Sequence, residues 1–214
     1  MKYWFYYTVK WILWVFFHLR CGLEVRGQAH VPKTGPFILA SNHISFLDPP
    51  LLGAACPRRL SFMARSTLFR QPVLGAFMRA VYVIPLERGE ADLGAVREAL
   101  RRLRLGEAVA IFPEGGRQLS GTLGIARRGV GLLALAARAP IVPVLVQGTF
   151  EALPPEATRL HRAKIRVAFG PAISYTSGPL EQAVGRVSRA RHEQLAQTVT
   201  QAWGQLAAQM QQNG

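Results

Sequence analysis

Apolar and polar positions along this chain alternate between two rhythms. Runs of five to seven mostly apolar residues, Pro36–Ser41, Leu60–Ala64, Val81–Pro85, Ala108–Phe112 and Ile141–Gln147, are short and read as buried strands. Leu23–Arg26 and the alternating Lys164–Phe169 add a first and a last strand. Between them the period changes to that of a helix. Leu93, Val96, Leu100 and Leu103 recur at helical spacing within Asp92–Arg104, and further helices are predicted over Phe69–Arg79, Arg128–Arg138 and the stretch from Pro179 to the end, where Leu195, Val199, Trp203, Leu206 and Met210 form one stripe. Asp48 before Pro49 and Pro50 reads as a helix start, with Asp48 as N-cap. Strands alternating with helices predict an α/β domain whose mostly parallel central sheet is flanked by helices.

Tyr3–Leu19 breaks both rhythms, being almost continuously apolar with only Lys10 and His18 ionisable. As a helix it would be about 26 Å long, short of the roughly 30 Å hydrocarbon core of a bilayer, and its aromatics are spread along its length. We read residues 1–20 as a membrane-associated helix inserted in one leaflet, and 21–214 as one domain. The plainer alternative is a helix packed on its own domain. Arg20, Cys21, Gly22 and Leu23 after the run do not resemble a signal-peptide cleavage site.

Charge narrows the partners. Over 214 residues, 26 Lys and Arg stand against 12 Asp and Glu, a formal net charge of +14, which attracts anionic partners: phospholipid headgroups, acidic substrates, an acidic carrier protein or nucleic acid. The basic residues are scattered and carry no recognisable nucleic-acid motif, so no nucleic-acid partner is expected. Two distant cysteines, Cys21 and Cys56, suggest neither a disulfide framework nor a zinc site.

The candidate chemistry lies at strand ends, where open α/β sheets place ligands. Asn42–Asp48 follows one strand. His43 could serve as a base near neutral pH, and Asp48 could fix its tautomer, provided an irregular turn brings them together. Equally, Asp48 could be only a cap and His43 a satisfied polar group. Phe112–Arg117 follows another strand: the glycines allow close backbone approach, Arg117 offers a fork for phosphate oxygens, and Glu114 could accept from substrate hydroxyls or orient the loop. An ordinary Gly-rich turn explains the same residues. Arg65 and Arg88 follow two further strands and could converge on a phosphate, or be solvated like most arginines. The chain contains no G-x-S-x-G elbow, H-E-x-x-H or phosphate loop.

In this order, NHISFLD at Asn42–Asp48, FPEGGR at Phe112–Arg117 and IVPV at Ile141–Val144 resemble the motif blocks of the 1-acyl-glycerol-3-phosphate acyltransferases, of the glycerolipid acyltransferase superfamily. Arg88 of IPLER falls on a looser block, and Ala64–Gly75 is similar to a segment between blocks in which Arg65 replaces a lysine, Thr67 a glutamate; in FPEGGR, Gly116 replaces a common threonine. The resemblance implies that His43 and Asp48 are catalytic. It implies that Arg88, Glu114, Gly115, Arg117 and Arg65 bind a lysophospholipid, that acyl-CoA or acyl-carrier protein is the donor with no other cofactor, and that phosphatidic acid is the product. It further implies work at the cytoplasmic face of the cell membrane. Transfer to another lysolipid, or a non-catalytic basic membrane or nucleic-acid-binding module, are the competing readings.

Overall fold

In the computed structural model, which describes residues 3–87, 92–174 and 189–212, the central strands form where the apolar runs have no polar face. β1 (Glu24–Arg26) precedes β2 (Phe37–Ser41), α2 (Asp48–Ala55) and β3 (Leu60–Arg65); the N-terminal helix α1 is Trp4–Cys21. There follow α3 (Pro72–Ala80), β4 (Ile84–Leu86), α4 (Leu93–Arg104), β5 (Ala108–Ile111), α5 (Gly129–Ala137) and β6 (Ile141–Gln147). A four-residue α6 (Thr149–Ala152), β7 (Arg166–Phe169) and the long helix α7 (Arg189–Gln212) complete the described elements.

The sheet order is β1-β7-β6-β2-β5-β3-β4. From β6 to β4 all neighbours are parallel, whereas β7 is antiparallel to β6 and carries β1 parallel to itself. The sheet is therefore mixed: five strands run one way, and the two at one side, β7 and β1, run back. β2 lies in its middle and is buried throughout, as expected of a strand covered on both faces. Phe37 and Leu39 point into a cluster with Phe17, Leu51, Leu52 and Leu60; Ile38 and Ala40 point into the opposite cluster with Leu103, Val130, Val199 and Trp203. The result is three layers, with α1–α3 on one face and α4, α5 and α7 on the other. Trp203 ties α7 to the sheet by donating Nε1–H to the Ala40 carbonyl at 3.1 Å.

Three local expectations change. The helix expected over Phe69–Arg79 splits into a 3₁₀ turn (Ser66–Arg70) and α3, because Pro72 can begin a helix but cannot continue one. The strand expected from Val81 starts at Ile84, since Val81 and Tyr82 turn the chain, with Tyr82 at φ 63°. Asp48 is the first residue of α2 rather than its cap. Its carboxylate turns back to His43, Ile44 and Ser45 instead of reaching forward, and the first free N–H beyond the two prolines, that of Leu51, donates to the Leu47 carbonyl.

α1 is packed on the domain along Tyr6, Leu13, Phe17 and Cys21, and the Tyr6 hydroxyl accepts the Leu60 N–H at 3.0 Å. Its other side leaves Trp4, Trp11 and Leu19 exposed. No helix among the described residues is long and apolar enough to cross a membrane.

Candidate active site

Because β6, β2 and β5 are adjacent and parallel, their C-terminal ends deliver three loops to one place. The loop after β2 carries His43. Its start is locked to β6 by Asn42, whose amide donates to the Val146 carbonyl at 3.0 Å and accepts the Val146 N–H at 2.8 Å, adding one more rung to the ladder. The chain then makes the irregular turn that a five-residue separation requires, and His43 Nδ1 meets Asp48 Oδ2 at 2.9 Å.

Asp48 is fully buried, and its carboxylate is surrounded by donors. Oδ2 also accepts the N–H groups of Ile44 and Ser45, each at 2.8 Å, and Oδ1 accepts the Thr149 hydroxyl at 2.6 Å. A buried carboxylate is tolerable only when so compensated. With donors on every side of Asp48, the proton of the imidazole belongs on Nδ1, which leaves Nε2 as the basic nitrogen. The ring lies on Phe112, centroids 4.1 Å apart and planes 21° from parallel, and 17 % of the His43 side-chain surface is exposed.

The loop after β5 supports this base. Pro113 and Glu114 are the corners of a turn closed by the Gly115 N–H and the Phe112 carbonyl at 3.1 Å. Glu114 points inward and is only 2 % exposed. Its Oε2 accepts the His43 N–H at 2.9 Å and its Oε1 the Gly124 N–H at 3.0 Å, while the Gln118 N–H donates to the His43 carbonyl at 2.8 Å. Of the two uses open to Glu114 from sequence, the geometry provides loop orientation: both oxygens are occupied by backbone. Burial raises its pKa, and the two N–H donors partly oppose the rise.

Arg117 is half-buried with its guanidinium 3.7 Å from the centroid of the exposed Phe46 ring, beside the turn that holds the dyad. Gly115, at φ 80°, sits on the exposed side of the loop. The Arg127 guanidinium lies close enough to Gly115 that a Cβ there would stand 3.2 Å from it. Arg65 is exposed at the end of β3, two strands from β2, and Arg88 lies outside the described residues.

Two contributors, Thr149 and Arg127, were not found from sequence. Thr149 opens α6 after Gly148, whose φ of 86° and close approach to the Lys164 carbonyl admit no side chain. That Gly-Thr pair after a buried strand was the available signal. Arg127 is one of 26 cations, and nothing marks it apart.

Beside Phe46 and Pro49 lies an apolar cavity of about 250 Å³, enclosed by α1, α2, β3 and α3. Tyr6, Leu13, Gly53, Phe62 and Met78 are among its walls.

The structure thus places a carboxylate-oriented imidazole at the strand ends of a helix–sheet–helix α/β domain, an arrangement chemically able to act as a general base. The chain matches the Acyltransferase family over residues 22–147 and belongs to it. Among its relatives is 1-acyl-sn-glycerol-3-phosphate acyltransferase of Bacillus subtilis, 29% identical over 135 residues, or 63% of this chain and 67% of that one. N-acylphosphatidylethanolamine synthase of Arabidopsis thaliana is 33% identical over 58% of this chain and 48% of its own length. Plant relatives such as the chloroplastic enzyme of Brassica napus are matched over only 39% of their length. The fold is that of the 1-acyl-sn-glycerophosphate (LPA) acyltransferase of Thermotoga maritima, with a TM-score of 0.74 at 22% identity over 92% of this chain and 78% of that one.

Proposed function

We propose that this protein transfers a fatty acyl group from acyl-CoA or acyl-carrier protein to the sn-2 hydroxyl of 1-acyl-glycerol-3-phosphate, giving phosphatidic acid at the cytoplasmic face of the cell membrane. The observation that carries the proposal is the 2.9 Å bond from His43 to Asp48 beside an alkyl-sized cavity. Nε2 of His43 takes the proton of the acceptor hydroxyl as its oxygen attacks the thioester carbonyl. The tetrahedral adduct collapses, the C–S bond breaks, and the thiolate leaves with the proton that His43 returns. The acceptor supplies the nucleophile, so no protein nucleophile is needed. Arg117 and Arg127 flank the loop on which an anionic headgroup would rest, and their planar forks suit phosphate oxygens.

Names of relatives support a lysophosphatidate acceptor, while the Arabidopsis relative named N-acylphosphatidylethanolamine synthase favours a second reading, an acceptor with another headgroup. A matrix of thioester donors against lysolipid acceptors, with purified full chain in detergent and lipid mass analysis, distinguishes them. His43→Ala is expected to lower kcat about 10²–10⁴-fold; undiminished transfer by that variant would refute the proposal.

A further inference from the structure

Because β7 runs antiparallel to β6, it begins where β6 ends, and Gln147 pairs with Arg166 at the same end of the sheet as His43. A second cavity, of about 420 Å³, occupies this corner, with Asn42, Ile44, Gln147, Glu151, Lys164 and Arg166 among its walls. Leu145 and Ala207 of α7 also line it and both belong to the apolar cluster under α7, so it lies on the opposite face of the sheet from the cavity beside Phe46. The turn that carries His43 reaches into both: Phe46 and Pro49 line the apolar cavity, Asn42 and Ile44 the second one.

A thioester carries two substituents on its carbonyl carbon, an alkyl chain and a sulfur-linked arm. The apolar cavity suits the first. The second cavity is mixed in character: Gln147 offers an amide that both donates and accepts, Glu151 accepts only, and Ile44 and Leu145 supply apolar wall. Its far side is basic. Arg166 on β7 stands two strand spacings from β2, about 10 Å, and Arg159, Arg162, Lys164 and Arg166 fall within a stretch that holds no acidic residue. One carboxylate, Glu24, is shared by Lys164 at 2.6 Å, Arg166 at 3.5 Å and Arg26 at 3.9 Å, which leaves a cationic excess on this rim. A bare anion gains nothing from Gln147 acceptors and is repelled by Glu151. A neutral diamide that ends in a phosphate uses every part of the cavity.

We propose that this cavity binds the phosphopantetheine arm that acyl-CoA and acyl-carrier protein have in common, with its amides between Gln147 and Glu151 and its phosphate against Lys164 and Arg166. The inference rests on the acyl-transfer reading and deepens it. The donor then crosses the strand ends, its alkyl chain on the α1 face, its arm on the α7 face and its carbonyl at His43.

The test is kcat/KM for four donors with one acyl chain: acyl-CoA, acyl-carrier protein, acyl-4′-phosphopantetheine and acyl-pantetheine, which lacks the phosphate. The wild-type full chain should prefer the first three to the last by about tenfold or more, the value of a charge-assisted contact. Lys164→Glu, a change at an exposed side chain, should erase most of that preference by lowering kcat/KM for the three phosphate-bearing donors. Gln147→Leu should lower it for all four. Equal losses with acyl-pantetheine in Lys164→Glu, an effect confined to acyl-carrier protein, or a raised KM for the lysolipid in place of the donor would overturn the inference. A 4′-phosphopantetheine with a photoreactive diazirine in its pantoyl group, applied to the His43→Ala chain, should label the segments around Gln147 and Lys164 and be displaced by CoA; labelling confined to other segments would also overturn it. Should the wild-type chain consume no thioester, the acyl-transfer reading falls, while the site of labelling still decides whether the cavity takes the arm.

Discussion

The backbone N–H of His43 donates to the buried carboxylate of Glu114 at 2.9 Å. The candidate base is therefore held from two directions. Asp48 fixes its ring from within its own loop, and Glu114 fixes its main chain from the loop of the neighbouring strand.

Replacing Glu114 with Gln tests the second hold. A glutamine has one acceptor oxygen where the carboxylate has two, so it can satisfy His43 or Gly124 but must turn its own NH₂ towards the other N–H. Leaving a buried donor unmet costs roughly 1–3 kcal/mol. We expect Glu114→Gln to lower kcat by about ten- to a hundredfold through displacement of His43, with little change in the KM for the donor. A variant with wild-type kcat and an altered KM for the lysolipid would instead place Glu114 at the substrate.

Thr149 offers a milder test of the first hold. Its hydroxyl donates to Asp48 Oδ1 at 2.6 Å, while Oδ2, which faces His43, keeps its three partners without it. Thr149→Val should preserve the fold but loosen the carboxylate, lowering kcat less than tenfold by the loss of one charge-assisted bond shared among four. The check is kcat at saturating donor and acceptor beside Tm: a threonine that only supports the fold would lower Tm and leave kcat at its wild-type value.

The legible part of the molecule was the part governed by local pattern. β2, β5 and β6 were readable because strands buried on both faces are apolar until their last residue, and the dyad was readable because strand, loop and proline-opened helix follow one another within a dozen residues. What was not readable depended on the third dimension. Thr149 reaches Asp48 only because β6 lies beside β2, an adjacency that no short-range pattern contains. The reversed β7 was hidden for the same reason, since alternation along Lys164–Phe169 says strand but not direction. Lys10 is one of two ionisable residues in an apolar run, and only the fold shows that α2 ends against it.

The two guanidinium groups near the loop after β5 should separate binding from chemistry. Arg117 lies over Phe46 and Arg127 against Gly115. Arg117→Ala and Arg127→Ala are each expected to raise the KM for a phosphate-bearing lysolipid about tenfold or more, the value of one lost charge-assisted contact, with kcat changed less. Arg117→Lys should rescue only partly, because an ammonium keeps the charge but not the fork. Equal losses with phosphate-free acceptors would argue that the arginines shape the loop instead.

Acid stability should depend on Glu98 of α4. It bonds Arg101 at 2.7 Å and Arg102 at 2.8 Å, and these partners hold its pKa at about 2, below the ordinary 4.5. A carboxylate with a depressed folded-state pKa stabilises the native state above the unfolded value and loses that contribution as pH falls through the folded one. The contribution should be complete above pH 4.5 and fade between there and about pH 2. Arg102 also donates to Ser61 on β3 and to the Tyr82 carbonyl, so the pair tethers α4 to the sheet edge. In thermal melts, Glu98→Gln should lower Tm near neutrality and narrow its difference from wild type as pH drops towards 2; a constant offset across that range would mean the pair contributes nothing.

Membrane association can be tested without removing α1, whose inner stripe belongs to the core. Trp4 and Trp11 are 68% and 65% exposed, and seven residues of helix bring them to the same side. The Phe5 ring stands edge-on to Phe77 of α3 with centroids 6.3 Å apart, and Val73 is also exposed, so the apolar surface continues from α1 onto α3. Indole rings of this kind suit the headgroup level of a bilayer, and the +14 charge favours an anionic one. Changing Trp4 and Trp11 together to Ser removes surface that faces solvent and should leave Tm within a few degrees, while weakening co-sedimentation with anionic vesicles about tenfold or more. Raising salt should release the double variant more completely than the wild-type chain, because less apolar contact then remains beside the screened electrostatic attraction. Binding unaffected by the double substitution would remove α1 from the membrane contact and leave the basic surface to account for it.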